Sequence, residues 1–282
     1  MSISIVIVTY NSASNLPNLL ESIITQLQKS TVEKVIIVDN NSSDKKILKK
    51  VVAKYKKRIN IKAIYRLKNS GFANSSNLGA SFATDKILFI NPDTELCENA
   101  ISSLEKHMAS QSANIVGGRL VKFNQSGFHR TVYNPVTIST MILEFCNIGK
   151  IFNIPNNFYI DQSHIKVDTV VGGVGAGYML VDVNSFRKLN GFDEKYFMYL
   201  EDVDLCTRAS EMKMKIVYCP HSVIKHIGGA SSRNKHKIFH TAWYNSREYF
   251  AVKHFDNITA KIISLIYKVE RWVLEYREKN TS

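Results

Sequence analysis

The stretch Ile87-Leu88-Phe89-Ile90-Asn91-Pro92-Asp93-Thr94-Glu95 (ILFINPDTE) decides how the chain reads. A four-residue apolar run stops at Asn91, and a cluster of oxygen-bearing side chains follows at once. A strand without polar alternation is buried on both faces, as in a parallel sheet covered by helices. The polar cluster has two readings. One is a plain Pro-Asp turn. The other is a site for a metal ion and a phosphate, because hard divalent cations prefer carboxylate and phosphate oxygens.

Toward the N-terminus the same unit repeats. Ser4–Thr9 is rich in β-branched residues and reads as a buried strand. A helix follows over Asn15–Leu27, with Pro17 near its start, where proline is tolerated. Lys34–Val38 is a second strand, and Asp44 is placed to cap a lysine-rich helix running to about Arg58. Ile61–Tyr65, a helix over Phe72–Ala83 and Lys86–Ile90 complete the series. Four β-α units in a row predict an α/β fold with a doubly wound, mostly parallel sheet. Such sheets bind ligands at the carboxyl ends of their strands. Polar side chains recur there: Thr9, Tyr10 and Asn11; Asp39, Asn40 and Asn41; Asn69, Ser70 and Gly71; and the opening motif.

The chain has 282 residues and is 45% hydrophobic, enough for a full core. Its 37 Lys+Arg against 24 Asp+Glu give a net charge of +13, which fits an anionic partner: nucleic acid, acidic lipid or a phosphorylated substrate. Cys97, Cys146, Cys206 and Cys219 form no C-x-x-C pair, which argues against a disulfide scaffold or a cysteine zinc site. The N-terminal apolar run is short and lacks a basic flank, and no apolar stretch approaches the roughly 20 residues of a membrane span. A cytoplasmic protein is expected. Residues 118–170 are less regular. The glycine-rich stretch Gly172–Gly177 fits neither G-x-G-x-x-G nor a Walker loop, since Tyr178 and Met179 stand where Lys and Ser/Thr belong.

Five motifs in order, T-Y-N at 9–11, V-D-N at 38–40, N-S-G-F-A-N-S-S-N-L-G at 69–79, N-P-D at 91–93 and E-D-V-D-L-C-x-R at 201–208, resemble the inverting family 2 glycosyltransferases of GT-A fold. The likeness runs from about Ile3 to Ser232 and is nearest to the rhamnosyltransferase-like branch of bacterial polysaccharide assembly. It implies a Rossmann-like nucleotide-binding half, an acceptor-binding half and C-terminal helices. It implies that Thr9, Tyr10 and Asn11 line the base and ribose pocket, and that Asp39 bonds the base edge or ribose. Asn69, Gly71 and Phe72 would lie along the donor, with Gly71–Ala73 letting the backbone approach it, and Asn77 would face it from the next helix. Asn91 and Asp93 occupy the family's D-x-D position, with Asn91 a departure. Asp93 would hold Mg²⁺ or Mn²⁺ against the diphosphate, with Glu95 in support and His226 a second metal ligand. Asp202 would be the general base, with Glu201 orienting the acceptor or holding a cation such as Arg208. Asp204 reads as a helix cap. The loop at Gly172–Gly177 would floor the acceptor pocket.

The implied reaction moves a sugar, first choice L-rhamnose from dTDP-rhamnose, to a glycan or lipid-linked glycan. A UDP-hexose or UDP-N-acetylhexosamine donor is the alternative. A nucleotidyltransferase would need a basic glycine-rich loop after strand one, where TYNSASN stands. A nucleic-acid binder would need aromatic residues interleaved with the basic ones on one face, whereas the Lys45–Arg58 run reads as a solvated helix face. His236 and His240 lack the Glu of H-E-x-x-H. His221 and the run Gly228–Ser232 complete the glycosyltransferase region, taken as 1–235. Residues 236–282 read as a helical extension. There Ile262, Ile266, Val269, Trp272 and Val273 form an apolar side, and Lys261, Lys268, Arg271 and Arg277 a basic one. This helix either docks on the protein's own core or contacts an anionic membrane.

Overall fold

The computed structural model describes residues 2–123, 127–146, 148–226 and 236–280. Its first half is the expected series. Strands β1 (Ile3–Thr9), β2 (Val32–Asp39), β3 (Ile61–Tyr65) and β4 (Lys86–Ile90) are parallel, in the order β3-β2-β1-β4. Helices α1 (Leu16–Gln26), α2 (Lys45–Tyr55) and α3 (Gly71–Ala80) connect them. The apolar strands are explained by two buried faces. Ile3, Ile5 and Ile7 point to the core shared with α1 and α2, whereas Val6 points to the core on the α3 side. The carboxyl ends of β1, β2 and β4 fall on one edge, where the strand order reverses at β1.

The second half breaks the pattern. It comprises β5 (Thr94–Leu96), α4 (Ala100–Ser110), β6 (Ile115–Lys122), β7 (Val132–Tyr133), α5 (Ile138–Leu143) and α6 (Ile148–Ile151), then β8 (Thr169–Val170), β9 (Gly173–Val174), β10 (Tyr178–Asp182) and α7 (Val183–Lys188). After these come α8 (Glu201–Glu211), β11 (Ile216–His226), α9 (His236–His254) and α10 (Asn257–Asn280). Strand β10 inserts antiparallel between β4 and β6. Beyond it β11 runs parallel to β6, and β5 lies antiparallel against the end of β11. A nine-stranded mixed sheet results.

Two local expectations are corrected. Asp44 precedes α2 without a side-chain cap, and its Oδ2 instead accepts from Ala13 N at 2.9 Å, tying the β1 loop to the β2 loop. Helix α10 carries two apolar faces rather than one. Ala260, Ile263 and Tyr267 are buried against the core, whereas Ile258, Ile262, Leu265, Val269 and Trp272 are exposed. Both the docked face and an outward apolar stripe therefore exist, because 3.6-residue periodicity separates them around the helix. Arg247 of α9 is fully buried and fastens the two last helices. Its guanidinium bonds Glu270 at 2.8 Å and lies over the rings of Tyr244 and Tyr267.

Candidate active site

The ends of β1 and β2 lie side by side, with Thr9 in register with Asp39. Both are fully buried. Asp39 Oδ1 accepts from Ser42 N at 3.1 Å, but Oδ2 and Thr9 Oγ1 have no hydrogen-bond partner. Lys45 Nζ stands 3.7 Å from Asp39 Oδ2. A buried carboxylate oxygen and a hydroxyl left unsatisfied are costly unless a ligand completes them. Tyr10 is half-buried beside them. Asn11 is exposed at φ 53, and its Oδ1 accepts from Ser43 N and Oγ, so its amide closes the β1 loop onto the β2 loop.

The Asn69–Phe72 turn is built by a residue that the motif reading quoted but gave no role. Asn40 Nδ2 donates to Asn69 Oδ1 at 2.7 Å and to Gly71 O at 3.0 Å, while its Oδ1 accepts from Ser70 N. Gly71 has φ +84, and a Cβ there would lie 2.2 Å from Phe197 O. The glycine thus lets the backbone before α8 approach, and Phe72 N donates to that same Phe197 O at 2.8 Å. The cramped space at this position is therefore filled by the Phe197 backbone. The Phe72 ring packs edge-on to Phe192. Asn77 has partners within the fold. Its amide exchanges bonds with Phe192 N and O, at 2.9 and 2.8 Å, and reaches Glu194. That side chain clamps the turn after α7.

The opening motif lies beside β11. The antiparallel register pairs Thr94 with His226, which brings Asp93 Oδ1 to 3.1 Å from His226 Nε2. Asp93 is buried, and His226 Nδ1 is buried without a hydrogen-bond partner. The His129 ring lies tilted against His226 with centroids 4.6 Å apart, and burial lowers its pKa. One carboxylate and one imidazole suit Mn²⁺ or Mg²⁺ with further oxygens from phosphate and water. Adjacent ligands about 2.1–2.2 Å from an octahedral ion lie about 3 Å apart, as these two do. The residues fit such an ion. Asn91 is held by its backbone, N to Gly177 O and O to Thr94 Oγ1. Glu95 faces Lys225 across the β5–β11 pair.

The Asn91–Gly177 bond links the motif to the second carboxylate cluster. One residue before Gly177, Ala176 N donates to Asp202 Oδ2 at 3.0 Å, and Val203 N donates to Oδ1 at 2.8 Å. Burial raises the Asp202 pKa, and these two backbone donors restrain the rise. Glu201 is buried with Oε2 unpartnered, and its carboxyl is pushed up to about 8 by burial and then by the charge of Asp202. Glu201 does not hold Arg208, and Asp204 is not a cap. Asp204 is fully buried one turn inside α8 and takes Arg208 itself, at 2.8 Å to Nε and 2.7 Å to Nη2. Lys253 and His254 of α9 reach the same carboxylate at 2.6 and 2.8 Å.

A cleft of about 1090 Å³ adjoins this cluster, lined by His129, Arg130, Glu144, Tyr159 and Gln162 among others. Burial and the charge of Asp202 raise the Tyr159 pKa, which locates its hydroxyl in the field of that carboxylate. His129 belongs both to the cleft and to the Asp93–His226 group. These residues come from the irregular stretch 118–170, where no periodicity marked them. The run Gly228–Ser232 and the boundary at 235 fall outside the described residues. His221 is exposed at the other side of β11, and His240 is exposed on α9.

Comparison with known proteins gives the same picture. The model of the family "Glycosyl transferase family 2" matches residues 4–174, and that of the "N-terminal domain of galactosyltransferase" matches residues 157–232. Rhamnosyltransferase WbbL of Escherichia coli K12 is 30% identical over 159 residues, covering 53% of this chain and 58% of that protein. The chain thus spans little more than half the length of that relative. Among solved structures, residues 1–349 of Staphylococcus aureus TarS superpose with a TM-score of 0.60 at 16% identity, over 97% of this chain and 72% of that one. GalNAc-T7 with UDP, GalNAc and Mn²⁺ gives 0.61 at 14% identity, over 80% of this chain and 44% of that one. The sheet order and these likenesses make the architecture GT-A, and with a model match over more than half of its length the chain belongs to glycosyl transferase family 2.

Proposed function

We propose that the chain transfers a sugar from a nucleotide donor to a glycan hydroxyl, with inversion at the anomeric carbon. The observation that carries this reading is the continuous rim from Asp93–His226 through Asn91, Gly177 and Ala176 to Asp202. One end suits a diphosphate and the other a proton acceptor. Thr9 and Asp39 would take the base or ribose with their unpartnered oxygens, with Tyr10 and Asn11 at the pocket's edge. Asn69, Gly71 and Phe72 would form its floor. Asp93 and His226 would hold Mg²⁺ or Mn²⁺, which supplies positive charge to the leaving diphosphate. Asp202 would accept the acceptor hydroxyl's proton as that oxygen bonds to the anomeric carbon. The old carbon–oxygen bond would break, and its electron pair would leave with the nucleotide. Burial and the Asp202 charge push the Glu201 carboxyl up, which would weaken the second negative charge beside the base.

The acceptor would enter by the cleft at Tyr159 and Arg130 and would be a growing or lipid-linked bacterial surface glycan. The leading donor is dTDP-L-rhamnose, supported by the likeness to a protein named as a rhamnosyltransferase. A UDP-hexose or UDP-N-acetylhexosamine is second, favoured by the fold shared with a UDP complex. Residues 1–235 would form the transferase unit, and 236–282 an extension working at the inner face of the membrane. No helix among the described residues is long and apolar enough to cross a membrane. The exposed stripe Ile258, Ile262, Leu265, Val269 and Trp272 is flanked by Lys261, Lys268 and Arg271. That pairing of apolar and positive surface matches an anionic lipid surface.

A donor panel read by thermal shift tests the reading, because a ligand of the native state raises the melting temperature. dTDP-rhamnose with Mn²⁺ should raise it most, and less after EDTA. No shift with any dTDP- or UDP-sugar would overturn the reading.

A further inference from the structure

A second cluster of metal-ligating side chains lies away from the crevice. His107 is in the last turn of α4, Asp168 precedes β8 and Cys219 is within β11. One ligand atom from each lies within 4.8 Å of the other two. The sheet brings two of them together. Antiparallel pairing sets Tyr218 against Thr169, so the next positions, Cys219 and Asp168, oppose each other, and opposed residues share a face. His107 Nδ1 then meets Asp168 Oδ2 from the helix packed over that face.

We infer that His107, Asp168 and Cys219 form a binding site for a borderline divalent cation, of which Zn²⁺ is the chemical type, separate from the Asp93–His226 pair. Three observations carry this. First, the donor set is one imidazole, one carboxylate and one thiol, which suits Zn²⁺ or Co²⁺ and not Mg²⁺ or Ca²⁺. Second, the Asp168 side chain is only 9% exposed, and its Oδ1 is buried with no hydrogen-bond partner. An ion would satisfy that oxygen. Third, β11 changes register between Cys219 and Val223. Such an irregularity re-aims side chains, and here it accompanies His221, whose ring stacks on His107 with centroids 5.8 Å apart. His221 or a water would complete a tetrahedron.

The geometry needs little adjustment. Ligands at zinc bond lengths sit about 3.3–3.5 Å apart in a tetrahedron, so His107 Nδ1 and Asp168 Oδ2, now in direct contact, must part slightly while Cys219 Sγ draws in by about 1 Å. Coordination breaks the Cys219 S–H bond, forms a metal–sulfur bond and releases the proton to solvent. An ion here would pin the end of the irregular segment before β8 to the sheet. That role is structural and independent of sugar transfer.

The test uses the full chain stripped with EDTA and titrated with Co²⁺. Wild type should take up one equivalent with the near-ultraviolet sulfur-to-cobalt charge-transfer band and the visible bands of a tetrahedral ion. The band reports a thiolate ligand, so ions at Asp93–His226 do not contribute to it. Cys219→Ser should lose the band, Asp168→Asn should bind at least about tenfold more weakly, and Zn²⁺ should raise the melting temperature of wild type more than that of either variant. Absence of the band in wild type at saturating Co²⁺, or its survival in Cys219→Ser, would overturn the inference. If Cys219→Ser does not fold, the partly exposed His107→Gln decides. Loss of affinity supports the site, and unchanged affinity refutes it.

Discussion

Replacing Asp204 with Asn should destabilise the chain far more than its place near a helix start suggests. In the wild type a fully buried carboxylate faces Arg208, Lys253 and His254 at 2.6–2.8 Å. The amide keeps the shape and removes the charge that all three share. Breaking a buried ion pair from one side costs about 3–5 kcal/mol, because the remaining charge stays buried. Asp193 still holds Lys253 at 2.6 Å, which keeps the estimate inside that range. At about 2.1 cal/mol/K per residue, unfolding entropy for a chain this long is about 0.6 kcal/mol/K, so the melting temperature should fall by about 5–8 °C. Burial alone would raise the Asp204 carboxyl, but His254, Arg208 and Lys253 outweigh it and hold its pKa below the ordinary 3.8. A depressed folded-state pKa gives stability that is present above the unfolded value and lost as pH falls through the folded one. The gap between wild type and variant should therefore be full at pH 7 and close below about pH 4. Differential scanning fluorimetry across pH measures both. A shift under about 1 °C at pH 7 would refute the reasoning, as would an equal shift from the exposed Glu211→Gln. Turnover at low temperature should fall far less than in Asp202→Asn, since Asp204 acts on the proposed base only through helix α8.

Five further outcomes are expected. Asp93→Ala should abolish transfer with the circular dichroism spectrum unchanged, and wild-type turnover in that variant or after EDTA would remove the metal assignment. Asp202→Asn should keep donor binding and lose about 10²–10⁴-fold in kcat; in wild type the acid limb of kcat/KM should lie above the ordinary aspartate range, because burial raises this carboxyl. Glu201→Gln should flatten the fall in stability that wild type shows as pH rises from the unfolded glutamate value of 4.5 through about 8, and parallel profiles would show Glu201 ionised throughout. Gly71→Ala should cost at least about 2 kcal/mol, from the positive φ and the clash with Phe197 O. Leu265→Glu with Trp272→Glu should abolish sedimentation with anionic vesicles at low salt while leaving transfer to a soluble acceptor intact; equal sedimentation would favour a stripe without a lipid role.

Parallel strands announce themselves by continuous apolar runs, so β1 to β4 and their helices were legible to within a few residues. The carboxyl-end loops were legible too, because oxygen-bearing side chains recur there. The mixed half was not. Nothing in Tyr178–Asp182 distinguishes an antiparallel insertion from a parallel strand, since β10 is buried on both faces as well. Asn77 and Gly71 sit in a motif, yet their geometry answers to Phe192 and Phe197, more than a hundred residues away. Local sequence carries no sign of such partners. His129, Arg130 and Tyr159 lie in irregular backbone, where periodicity has nothing to report. On α10 the apolar residues were visible, but two apolar faces read as one until packing divided them.

The turn before α8 ties these threads together. Tyr199 and Leu200 have φ of +71 and +64, values that cost a bulky residue energy and usually fall to glycine or asparagine. The fold holds them there from several sides. The Tyr199 ring packs edge-on to Trp243 at 5.7 Å, and Leu200 is buried. Met198 O accepts from Ser246 Oγ at 2.8 Å, and Phe197 O accepts from Phe72 N. Two of these restraints come from α9 and one from the Gly71 turn. The strained turn is what swings Glu201 and Asp202 to the start of α8, where Asp202 meets Ala176 N. Helix α9 is thus part of the machinery that aims the proposed base, through Trp243 and Ser246 before the turn and through Lys253 and His254 one helical turn after it. A glycine pair at 199–200 would relieve the strain and free the carboxylates to wander. Keeping side chains there trades local energy for a fixed direction.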